Sequence, residues 1–152
     1  PPQTARWMLD HYPRSHWMIE HAGGGEGVCD HAREVLGHYE LTPINPSDAA
    51  PERLEEEPIC GNLRAAVYAR AAMLVQRGLV DVPDDPMLRE ELLAMSLHYD
   101  RIQTRDGERR QVAHLTPKKQ LLQTLGRSPD RASAFVFALC RPAVVDDGPT
   151  CW

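Results

Sequence analysis

Residues 16–21 read His16-Trp17-Met18-Ile19-Glu20-His21, and residues 22–27 read Ala22-Gly23-Gly24-Gly25-Glu26-Gly27. Val28-Cys29-Asp30-His31-Ala32-Arg33-Glu34-Val35-Leu36 follows directly. The first run is short, apolar and aromatic, and reads as a strand. The second is a glycine turn. In the third, Val28, Ala32, Val35 and Leu36 fall on one helical face. Gly37 is a natural stop, and Tyr39 to Ile44 is again extended. Strand, glycine turn, helix and strand in this order are the pattern of a parallel βαβ unit.

The segments around this unit follow the same punctuation. Thr4 to Tyr12 reads as a helix closed by Pro13. Residues 45–58, rich in Pro, Asp, Glu and Ala, read as a loop. Asn62 to Arg77 is an alanine-rich helix stopped by Gly78, and Leu79 to Pro83 is a brief extended piece. Asp85-Pro86 opens a helix reaching Met95, since Asp caps and Pro suits the first turn. Leu97–Gln103 and Arg110–Leu115 read as two strands, with Asp106-Gly107 between them as a hairpin signal. Thr116-Pro117 starts a helix ending near Gly126. Ser128-Pro129 starts the last one, with Ala134, Phe135, Ala138 and Leu139 on one face. The expected organisation is one α/β body over residues 1–141 and an irregular tail over 142–152.

Composition bounds the function classes. The chain has 152 residues, long enough for one sizeable core, and only 6% are aromatic, so that core is aliphatic. No apolar run reaches the ~18 residues of a membrane span. The opening Pro1-Pro2, in place of Met, implies an upstream end that has been removed. The four cysteines contain no CxxC pair and read as reduced thiols. The seven histidines form no zinc-binding spacing. Charge is segregated. Residues 1–96 carry 8 Lys/Arg against 16 Asp/Glu, whereas residues 97–131 carry 8 against 4. An acidic chain with one basic segment excludes a general nucleic-acid coat but allows a single phosphate-facing surface.

Two acids carry the candidate chemistry. Glu20 ends a predicted parallel strand, the place where open α/β sheets build their sites. A carboxylate there is hydrated, paired or metal-bound, because an uncompensated buried charge is too costly. Asp130 opens the last helix, where the dipole already favours a negative charge. The glycine turn can present N–H groups to an anion. It lacks the Lys of a phosphate-binding loop and the spacing of a dinucleotide fingerprint, so a tight strand-to-helix turn explains it as it stands. An unrelated nucleotide-binding α/β protein stays open as an alternative.

Taken in order, Ile19-Glu20-His21-Ala22-Gly23-Gly24-Gly25-Glu26-Gly27-Val28, Gly61-Asn62-Leu63-Arg64-Ala65, Glu90-Glu91-Leu92 and Gly126-Arg127-Ser128-Pro129-Asp130-Arg131-Ala132 resemble the C-terminal nuclease domain of tailed-phage large terminase subunits. The resemblance implies an RNase H-like mixed sheet flanked by helices and lacking its first strands. It implies a metal-dependent endonuclease that cuts concatemeric double-stranded DNA in the host cytoplasm, with a portal and a small terminase subunit as partners. Two Mg2+ or Mn2+ ions roughly 4 Å apart activate water and stabilise the leaving oxygen in such sites, and carboxylates suit these hard ions. On this reading Glu20 and Asp130 are the metal-binding and catalytic acids. Arg105, Arg109, Arg110, Lys118, Lys119 and Arg127 contact DNA phosphates. The sequence departs from the family in two ways. The strand with the first metal-binding Asp and the ATPase motor belong before Pro1, and Ser133 stands where a later acid is usual. Both imply that this stretch alone does not cut DNA. A catalytically inactive module that binds DNA or a packaging partner is the alternative.

Overall fold

The computed structural model describes residues 2–12, 15–21, 25–36, 41–52, 56–103 and 107–139. These residues form two compact units, one ending at Pro46 and the other beginning at Ser47. Together they are mixed α/β, with six helices and two two-stranded sheets among the described residues. The expected tail over 142–152 lies outside them.

The first unit holds α1 (Pro2–His11), β1 (Trp17–Glu20), α2 (Glu26–Leu36) and β2 (Leu41–Ile44). β1 and β2 pair in parallel, from Trp17 opposite Leu41 to Glu20 opposite Ile44. The expected βαβ unit is therefore present. Its core is Trp17, Cys29, Ala32 and Leu41, with Met8 and Ile19 packed against it. The helical face differs by one position from the sequence reading, because Cys29 is fully buried while Val28 is only partly covered. A thiol behaves as a small hydrophobe, and the Cys29 Sγ lies 3.9 Å from the Ile19 carbonyl oxygen.

The second unit holds α3 (Leu63–Gln76), α4 (Pro86–Ala94), β3 (Leu97–Gln103), β4 (Arg109–Leu115), α5 (Lys118–Leu125) and α6 (Asp130–Leu139). β3 and β4 form an antiparallel ladder from Leu97 opposite Leu115 to Gln103 opposite Arg109. The outer edge of β4 is bonded by the 59–61 segment. Ala113 N–H donates to the Ile59 carbonyl, and Gly61 N–H to the Ala113 carbonyl. Asn62 caps α3, accepting from the Ala65 N–H at 2.9 Å. Ala65, Ala69 and Ala71 of α3 are buried, and residues this small let neighbouring elements approach closely. Gly126, at φ 69°, ends α5 in the left-handed conformation that glycine adopts without a Cβ clash.

The last helix corrects the sequence reading. Ala132, Val136 and Phe137 are buried, whereas Ala134 and Ala138 are exposed. The expected face of Ala134, Phe135, Ala138 and Leu139 is turned by nearly half a circle at its alanines. Apolar residues occur on most of the helix circumference here, so composition alone does not orient it. The buried anchor at Ala132 does.

Asp85 caps α4, accepting from the Met87 and Leu88 N–H groups at 2.9 and 3.1 Å, and it also pairs with Arg131 of α6. The Leu88 N–H and the Arg131 guanidinium hold this carboxyl below the ordinary carboxylate range. A depressed folded value stabilises the protein above the ordinary carboxylate pKa, and that contribution is lost as pH falls through the folded value. Asp85→Asn keeps a cap acceptor but cannot titrate. Its melting temperature is expected to drop less than that of the parent between neutral pH and about pH 3. Parallel melting curves across that interval contradict the assignment. A second expectation concerns α3: Asn62→Ala costs about 1 kcal/mol in urea unfolding.

Candidate functional site

Glu20 is exposed at the carboxyl end of β1, as the sequence placed it. The backbone around it is closely fitted. His21 N–H donates to the Ile44 carbonyl at 2.7 Å, continuing the parallel ladder one residue further. A Cβ at Gly25 would sit 1.6 Å from the Glu20 carbonyl oxygen. Only glycine allows the chain to turn back across the strand end so closely. The glycine run thus has a steric reason at Gly25, while residues 22–24 lie outside the described residues. The Glu20 carboxylate has no ion-pair or hydrogen-bond partner among the described residues.

Asp130, in the other unit, is the first residue of α6 and is exposed. The Ser128 hydroxyl donates to its carboxylate at 2.5 Å. The helix begins at Asp130, just after the Ser128-Pro129 pair that the sequence placed at its start. The buried start of α6 is satisfied from elsewhere. Glu91 of α4, only 2% exposed, accepts from the Ala132 N–H at 2.9 Å. The Arg127 Nε lies 3.4 Å from the other Glu91 oxygen, and Arg127 also donates to Glu90 at 2.6 Å. Glu91 belongs to the Glu90-Glu91-Leu92 motif, which by itself assigns it no role. Its signal was a carboxylate at helical spacing from Leu88, on the apolar face of α4. Ser133, one turn into α6, faces Tyr68 of α3, with their hydroxyls 3.2 Å apart. Burial pushes the Tyr68 phenol up, and the Ser133 hydrogen bond only partly offsets it.

The expected phosphate contacts divide into three groups. Arg109, Lys118 and Lys119 are exposed and have no partner among the described residues. Arg110 is paired with Glu108 at 2.7 Å. Arg127 is committed to Glu90 and Glu91, and the hydrogen bond to Glu90 pushes its guanidinium further up. Arg127 thus bridges α4 and the start of α6. Arg105 lies outside the described residues. Among the described residues, no group of three or more His, Cys, Asp or Glu side chains is arranged to hold a metal ion. Glu20 and Asp130 are each the right kind of donor for a hard divalent cation, a carboxylate open to solvent.

Comparison with solved structures places this architecture. The nuclease domain of the large terminase subunit gp2 of bacterial virus Sf6 superposes with a TM-score of 0.54. The likeness covers 91% of this chain and 70% of that one, at 19% sequence identity. In fold, the chain is like a terminase nuclease domain. The α/β class implied by the sequence motifs is thus present and is consistent with an RNase H-like fold, and the described strands form two two-stranded sheets. No family model matches the sequence, and no curated protein matches it.

Glu91 carries the clearest energetic consequence. Glu91→Ala leaves the Ala132 N–H and part of the Arg127 charge without their acceptor. A loss of about 2–4 kcal/mol is expected by denaturant unfolding, with Glu91→Gln retaining part of it. A cost below about 0.5 kcal/mol would mean that the buried start of α6 is satisfied without this carboxylate.

Proposed function

We propose that the chain is the nuclease part of a phage DNA-packaging terminase, a metal-dependent endodeoxyribonuclease acting on double-stranded DNA. The likeness to a terminase nuclease domain over 91% of the chain carries this reading. The exposed Glu20 at the end of a parallel strand supports it, and so does the surplus of Lys and Arg over residues 97–131. Glu20 and Asp130 would hold Mg2+ or Mn2+, each with one carboxylate. When bound, such ions supply Lewis-acid activation of a phosphodiester and of the attacking water. This chain's own part is to hold Glu20 at the strand end, through the parallel ladder and the close turn at Gly25. Arg109, Lys118 and Lys119 position the DNA backbone without reading sequence. The portal and the small terminase subunit are the partners this role requires, in the host cytoplasm. No helix among the described residues is long and apolar enough to cross a membrane.

The Ser133–Tyr68 hydroxyl pair favours a second reading, a catalytically inactive module that binds DNA or a packaging partner. A hydroxyl cannot replace a carboxylate's charge at a metal, and Ser133 is occupied within the fold.

Plasmid cleavage by the intact parent protein with Mn2+ separates the two readings. Nuclease function predicts cutting that EDTA abolishes and that Glu20→Gln lowers by at least about a hundredfold. Equal cutting by parent and variant removes Glu20 from the mechanism. DNA binding without any cutting supports the inactive module.

A further inference from the structure

The register of the β3–β4 ladder sorts its side chains onto two faces with different chemistry. Directly opposed residues share a face, and faces alternate along each strand. One face carries Leu97 with Leu115, Tyr99 with Ala113, Arg101 with Gln111, and Gln103 with Arg109. The other carries His98 with His114, Asp100 with Val112, and Ile102 with Arg110. The one carboxylate of this ladder, Asp100, is on the second face, 3.8 Å from His114. Arg110 there is neutralised by Glu108. The first face has no acid among the described ladder residues.

The first face also changes character along its length. Leu97 and Leu115 at its root line a cleft of about 370 Å3 together with Phe135 and Val136, so the root is tied to the core. The outer part is open. Tyr99 is 54% exposed, and Arg101, Gln103, Arg109 and Gln111 are exposed as well. None of these five side chains has a hydrogen-bond or ion-pair partner among the described residues. The exposed Tyr99 ring leaves apolar surface in water without any return inside the fold, and the guanidinium groups and amides on its face are left to solvent among the described residues.

We infer that this face binds an unpaired nucleic-acid strand, with one base stacked on the Tyr99 ring and the backbone phosphates held by Arg101 and Arg109. The inference rests on DNA being this chain's ligand and adds which form of DNA the ribbon takes. Charge complementarity identifies the occupant as a polyanion, and the aromatic ring narrows it further. A ring stacks on a base face, which a duplex hides between neighbouring pairs and an unpaired strand offers. Gln103 and Gln111 present amides that donate to and accept from exposed base edges. Neither Tyr99 nor Arg101 is among the contacts expected from charge and family resemblance. They come from the ladder register.

Fluorescence anisotropy of the full chain with a labelled thymidine-rich single strand, and with its duplex, tests this in EDTA. The single strand is expected to bind more tightly, with affinity falling steeply as salt rises. Tyr99→Ala weakens single-strand binding about tenfold to a hundredfold, and Tyr99→Phe preserves it. Arg101→Ala weakens it and flattens the salt dependence. Ile102→Ala, on the opposite face of the same strand, leaves it unchanged. A preference for duplex, unchanged binding by Tyr99→Ala, an equal loss with Ile102→Ala, or no nucleic-acid binding at all overturns the assignment. Because EDTA removes the metal, none of these outcomes depends on cleavage, which the Glu20→Gln assay reads separately.

Discussion

Glu91 reaches from α4 into the start of α6, where burial removes water from its carboxylate. Such a charge is tolerated only if the protein itself supplies donors and a counter-charge. Both are present, in the Ala132 N–H and the Arg127 guanidinium. The start of α6 is arranged to meet that constraint. Ala132 must be buried, which turns α6 so that Val136 and Phe137 enter the core. Arg127 must be folded back, so it is held by Glu90 and Glu91. Ser133 then comes to lie against Tyr68 of α3. One buried carboxylate thus sets the rotation of the helix that carries Asp130.

The first unit is organised by a steric constraint. The chain leaves β1 and turns back so closely that Gly25 lies against the Glu20 carbonyl. That contact leaves the Glu20 side chain at the strand end, in solvent, while Trp17 at the other end is buried. Helix α2 then covers the pair with Cys29 and Ala32. The parallel ladder and the glycine approach hold the backbone on either side of the carboxylate, the kind of support a metal-binding acid needs if its geometry is to be set in advance.

Much of this was legible in the sequence, and the legible parts share a cause. Helices and strands were read from periodicity and from Gly, Pro, Asn and Asp at their ends, which act locally. Asp85 caps as expected, Asn62 turns out to cap the helix it was read as starting, and Gly78 and Gly126 stop their helices. The parallel βαβ unit followed from the order of its pieces. What could not be read was which of several apolar faces is buried, as in α2 and α6, and which charges are already paired. Arg110 and Arg127 looked like Arg109 in the sequence. A partner two residues away neutralises Arg110, and a partner thirty-seven residues away commits Arg127.

The amino-acid order by itself determined the succession of elements, their ends, the α/β class and the position of Glu20 at a strand end. These depend on backbone preferences and caps that neighbours along the chain satisfy. The tertiary structure alone decided that Glu91 is buried and paired, that Ser133 meets Tyr68, and that Tyr99, Arg101 and Arg109 share a face with no acid among the described ladder residues. Those outcomes depend on desolvation and on ladder register, which arise only when helices and strands pack and pair.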